Sequence, residues 1–141
     1  GRGTVIYVAM PAFRHYWENQ NPSVAELVFG LLDRLLPEPL VRVDTRAQVE
    51  MVAARRDDDL IVHLVNHSGR ERLLGNWYPL IEYMPELRDI PVAIRTGNHR
   101  RCIRLAPSGS AVEYRSESGY ARLVVPRLHF MQSIVVENHF A

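Results

Sequence analysis

From residue 40 to the C-terminus, apart from a less regular stretch at 69–89, the sequence alternates between apolar and polar positions, pausing for a turn about every eight to twelve residues. "IPVAIRT", "CIRLAPS", "AVEYRSE", "YARLVVP" and "QSIVVEN" carry this period, and Gly97, Gly109 and Gly119 punctuate them. Successive side chains of a strand point to opposite faces, so a period of two lines one face with apolar groups and leaves the other to solvent. "LVRVD" extends the series upstream. "QVEMVAAR" and "LIVHLVNHS" follow, joined through the acidic "RDDD" as a hairpin. Short strands at this spacing predict an antiparallel sandwich or barrel.

Residues 1–39 obey a different rule. "TVIYVA", residues 4–9, is a short β-branched run of the kind that forms a buried strand. After the polar, aromatic connection "MPAFRHYWENQNP", the segment "SVAELVFGLLDRLLPEP" has helical spacing, with Leu27, Leu31, Leu32 and Leu35 on one stripe. Ser23 followed by Glu26 predicts a capping box at its start, and Pro37 with Pro39 ends it. The first 36 residues or so therefore read as one β–α unit. A lone unit of this kind cannot bury both faces of its strand, because parallel sheets need several neighbours. It is expected to be the tail of a larger α/β domain, or to pack onto the sandwich. The predicted fold is mainly β: a β–α unit over 1–39, then an antiparallel β-sandwich over 40–141.

Composition narrows the function classes. A length of 141 residues suits one domain, or one domain plus a fragment of another. The 17 basic and 16 acidic side chains are interspersed and leave a net charge of +1. That excludes a dedicated nucleic-acid or acidic-membrane surface. Every basic residue is arginine, which reads as compositional bias, since a bidentate site needs a few placed arginines and does not forbid lysine elsewhere. No run approaches the roughly 18 apolar residues of a membrane span. The start, "GRGTVIYVAM", lacks a signal-peptide pattern, which predicts a cytoplasmic location; any leader lies upstream of Gly1. Cys102, the single cysteine, can form neither an internal disulfide nor a cysteine metal cluster, and reads as a small buried hydrophobe.

"DDDLIVHLVNHSG", residues 57–69, is the segment that most invites a catalytic reading. On a helix, His63 and His67 would share a face and hold an ion. On a strand, four residues span roughly 13 Å, too far for two zinc–nitrogen bonds of about 2 Å. No glutamate lies between them to act as a metalloprotease base. The expected roles are a His63 hydrogen-bonded within the sandwich and a His67 at a strand end. "NHS", residues 66–68, matches a glycosylation acceptor and reads as chance. A glycosidase needs two carboxylates about 5 to 10 Å apart in a cleft. Asp57, Asp58 and Asp59 crowd one turn and read as a solvated hairpin tip, while Glu71, Glu82 and Glu86 sit in an irregular stretch, 69–89, without a matching partner. "RTGNHRR" is basic and compact but leads into no helix, and reads as a hairpin turn.

Tyr16 and Trp17, and then Trp77, Tyr78 and Tyr83, lie in the two long connections. Such rings cover a core under long loops, fill protein interfaces, or stack on sugars. They are the candidate interface or carbohydrate contacts.

The order of these motifs resembles a known arrangement. "GTVIYVAMPAFRHYWENQNPSVAELVFGLLDRLL" resembles the last strand and helix of the amidotransferase-like (flavodoxin-like) domain that follows the catalytic barrel of certain bacterial glycoside hydrolases, the β-galactosidase trimerisation domain. The matching features are Gly3, the strand run 4–9, Phe13 with Tyr16, Pro22 and the helix 23–36. "VHLVN", "IPVAIRTG", "RLAPSG" and "LVVPRLHFMQSIVVE" are similar to strands of the C-terminal β-sandwich of those enzymes. The resemblance implies that the catalytic carboxylates belong to an upstream barrel, so no catalytic residue, metal ligand or cofactor is assigned here. It implies a structural and assembly role, with the catalytic domain and other subunits of a homo-oligomer as partners. A carbohydrate-binding module using the loop aromatics is the alternative.

Overall fold

The computed structural model describes residues 3–19, 21–74, 78–97 and 99–140, with backbone alone at 17, 70–74, 78–80 and 82. The chain separates into two compact units, Gly1–Pro39 and Leu40–Ala141.

The larger unit is the mainly β, sandwich-type fold that the two-residue period predicts. One antiparallel sheet has the order β1 (Val41–Val43), β6 (Leu87–Arg95), β10 (Tyr120–Leu128), β9 (Tyr114–Glu117). The other runs β2 (Val49–Arg56), β3 (Asp59–Asn66), β11 (Met131–Val136), β7 (Ile103–Ala106), β8 (Ser110–Ala111). Their inner faces supply one core. Val41, Ile90, Val92, Ile94, Leu123 and Val125 come from the first sheet; Leu60, Val62, Leu64, Ile103, Ile134 and Val136 come from the second. Each such side chain contributes about 1.5–3 kcal/mol when fully removed from water. The turns use the residues their backbone demands. Between β9 and β10 Ser118 and Gly119 both have positive φ, the type I′ requirement of a two-residue hairpin.

Two segments differ from expectation in the larger unit. The stretch 69–89 contains a hairpin of β4 (Arg70–Leu74) and β5 (Tyr78–Tyr83). A register shift between Arg70 and Glu71, with Pro79 in β5, breaks the period that would have revealed it. "RTGNHRR" is not a hairpin turn: β6 and β7 belong to different sheets, so it carries the chain from one sheet to the other.

In the smaller unit, α2 spans Pro22–Leu35. Its cap is Asn21, whose side chain accepts from the Ser23 N–H, with Pro22 in the first turn, so the Ser23 capping box is displaced. The aromatic connection contains α1 (Ala12–Asn19), where an Arg14–Glu18 pair at 2.7 Å spans one helical turn. Residues 4–8 have no ladder partner among the described residues, so the β-branched run is not a strand there. A strand requires a neighbour's hydrogen bonds, and sequence alone supplies only half of that pair.

Candidate functional site

The end of β3 is the most densely tied polar point of the sandwich. The alternation along β3 puts Leu60, Val62, Leu64 and Asn66 on the core side. Asn66 is 2% exposed, and an amide at such a position must find partners or cost about 1–3 kcal/mol. Its Nδ2 donates to the carbonyls of Pro85 and His129, both at 2.8 Å, while its Oδ1 accepts from the Ser68 N–H at 2.9 Å. One side chain thus joins the exit of β5, the β10–β11 turn and its own strand end. Both amide hydrogens are committed, so the glycosylation match has no free acceptor. The sequence does contain a signal for this residue: it is the polar member of an otherwise apolar inward series.

His63 and His67 are not brought together. His63 lies on the outward face of β3, its Nδ1 2.8 Å from Ser133 Oγ on β11. His67 follows the strand end and sits 2.8 Å from Glu50 Oε2 on β2. Each ring has its own partner, on a different neighbouring strand. Among the described residues no three His, Cys, Asp or Glu side chains are grouped to hold a metal ion.

The carboxylates are dispersed. Asp58 meets Arg55 at the β2–β3 tip, where Asp57 adopts a φ of 54°. Asp59 accepts from the Asn138 N–H, anchoring the C-terminal turn. Glu86, Glu117 and Glu137 pair with Arg88, Arg122 and Arg104 at 2.7 to 2.8 Å. Such exposed pairs contribute about 0–1 kcal/mol each. The side chains of Glu71 and Glu82 lie outside the described residues.

The loop aromatics are divided between the units. Tyr16 is exposed on α1, and the side chain of Trp17 is outside the described residues, as is Trp77 entirely. Tyr78 opens β5 opposite Leu74, and Tyr83 closes it opposite Arg70. Tyr83 is 67% exposed.

A basic depression of about 910 Å³ is lined by Arg100, Arg101, Arg115 and Tyr114. The Tyr114 hydroxyl accepts from the Arg101 N–H and donates to its carbonyl, fixing the crossing between sheets. Burial pushes the nearby His139 imidazole below its ordinary 6.5, and Arg101 and Arg95 add to the effect. Cys102 also borders this depression. It is exposed rather than buried, because Ile103 takes the inward position at the start of β7.

The smaller unit offers a contrasting surface. Ile6, Val8, Phe13, Leu31, Leu32 and Leu35 line an apolar groove of about 380 Å³. Beyond it, Val5 is 90% and Tyr7 87% exposed, and Leu27 and Phe29 on α2 and Leu36 just after it are also exposed. Ala12 and Val24 are the hydrophobic residues buried among those described in this unit.

No protein-family model matches the chain, and no curated protein matches it. Among solved structures it is similar to alpha-L-fucosidase isoenzyme 2 from Paenibacillus thiaminolyticus, with a TM-score of 0.80 and 27% identity over 93% of this chain. Its fold is glycoside hydrolase-related. The chain spans 20% of the length of that fucosidase, so the likeness concerns one region of a longer protein.

Proposed function

We propose that the chain is a non-catalytic structural region of a glycoside hydrolase-like protein. It supports a catalytic barrel, and residues 1–39 form the seam through which it joins the rest of that protein and its subunits. The observation that carries this reading is the apolar surface of the smaller unit. Val5, Tyr7, Phe13, Phe29 and Leu36 are strongly exposed, which is the pattern of a surface that another element covers. A β-branched segment lining a groove with an amphipathic helix is the make-up of half a parallel α/β layer, and such layers are covered on both faces. The fucosidase likeness over one fifth of that enzyme's length supports the parent class. The pairing of Asp58, Glu86, Glu117 and Glu137 with arginines supports the non-catalytic part, because a glycosidase acid needs a partner acid across a cleft.

The test is turnover of chromogenic α-fucosides and β-galactosides by the 141-residue chain. No hydrolysis is expected. Turnover abolished by replacing a single carboxylate would overturn the reading.

A further inference from the structure

The outer strands of the two sandwich sheets differ in length. β1, β8 and β9 have 3, 2 and 4 residues, whereas β2 has 8, in unbroken register with β3. A long edge is a template for another strand unless proline, a bulge, brevity, a covering element or unmatched charge blunts it, and the charges of β2 (Glu50, Arg55, Arg56) include both signs. β2 contains no proline and no bulge.

The hydrogen-bond parity shows which groups this edge presents. His67 N–H donates to the Gln48 carbonyl, and Gln48 N–H donates to Ser68 Oγ, so even-numbered residues of β2 face β3. In an antiparallel ladder alternate residues turn both backbone groups to opposite sides. Val49, Met51, Ala53 and Arg55 therefore direct their N–H and C=O groups outward. Met51 and Ala53 pair with Leu64 and Val62, two fully buried residues, yet both are exposed. The apolar inner layer runs past the rim of the core into solvent.

We propose that β2 pairs antiparallel with β2 of a second copy of this chain, making one continuous sheet across a twofold axis. Charge complementarity selects both the partner and the register. An axis normal to the sheet and centred on Ala53 sets Ala53 against Ala53, Val52 against Ala54, and Met51 against Arg55 of the second copy. It also sets Glu50 against Arg56, twice by symmetry. Both side chains are exposed; Glu50 meets His67 through Oε2, and its Oε1 would take Arg56 of the second copy. Centring on Val52 would set Glu50 against Ala54 and lose both ion pairs. The outward groups of Met51, Ala53 and Arg55 exchange the ladder hydrogen bonds, and the closer, non-hydrogen-bonded spacing falls at Val52 and the small Ala54.

Sedimentation velocity over a range of concentrations tests this on the 141-residue chain. A closed dimer is expected. Ala53→Pro removes an outward N–H that β3 does not use, and should weaken association about tenfold or more. Glu50→Arg and Arg56→Glu each place like charges opposite one another and should each weaken it about tenfold. The double variant should restore it. Far-UV circular dichroism checks folding, and the charge swap decides if the proline variant fails to fold. A wild-type chain that stays monomeric, or associates without limit, would overturn the proposal. So would indifference to the single substitutions, or a double variant as weak as either single.

Discussion

The two units obey opposite rules. In Leu40–Ala141 the apolar faces of β3, β6, β10 and β11 meet one another, and residues such as Val62, Ile94 and Val136 are completely buried. In Gly1–Pro39 a comparably apolar helix and segment keep Leu27, Leu32 and Val5 exposed. Hydrophobicity is similar; closure is not. A sandwich supplies its own second layer, whereas one short segment and two helices supply too little surface to cover themselves. The larger unit covers its own core, and the smaller one leaves much of its apolar surface uncovered.

The largest expected break in this comparison lies at the sandwich centre. Ile134 on β11 is fully buried between β3 and β7. Ile134→Ala removes buried methyl groups and leaves a cavity, which should cost about 3 kcal/mol. Urea unfolding followed by tryptophan fluorescence measures it, and a loss under about 1 kcal/mol would mean that the core is not closed at β11.

Next comes Asn66. Asn66→Ala leaves the Pro85 and His129 carbonyls without their donor and frees the Ser68 N–H. The expected cost is about 2 kcal/mol, within the range for stranding buried polar groups. Amide exchange should show a local signature, with faster exchange at the β10–β11 turn than in β6. A uniform change across the sandwich would instead assign Asn66 a bulk packing role.

How much of this was legible in the sequence follows from where each constraint originates. The alternation in "YARLVVP" and "QSIVVEN" is a local property and predicts inward Ala121, Leu123, Val125, Ile134 and Val136. The strand reading of "LIVHLVNHS" separates His63 from His67, and the structure gives each a different neighbour. Pairings that depend on distant chain were illegible. The hairpin over 70–83 is hidden by its register shift, and the sheet change after Arg95 depends on which strands later flank β6 and β7. Cys102 was misplaced because alternation fixes relative facing, not absolute phase, and Ile103 claims the inward side. The apolar stripe Leu27–Leu31–Leu35 was visible, but its exposure was not, since periodicity does not say what packs against a face.

The smallest expected effect is the most informative about the N-terminal unit. Leu32 lines the apolar groove and is nearly half exposed. Truncating a side chain that already reaches water from an open groove forfeits little transfer energy and leaves no closed cavity. Leu32→Ala should therefore change the stability of this chain by no more than about 0.5 kcal/mol, the usual range for surface substitutions. The same change in a longer protein, with the stripe of α2 covered, should cost about 2–4 kcal/mol, as a core leucine does. Urea unfolding, with helix content followed at 222 nm, compares the two. Equal costs in both settings would mean that α2 is complete as it stands, and would remove the surface on which the seam between this region and the rest of a larger enzyme rests.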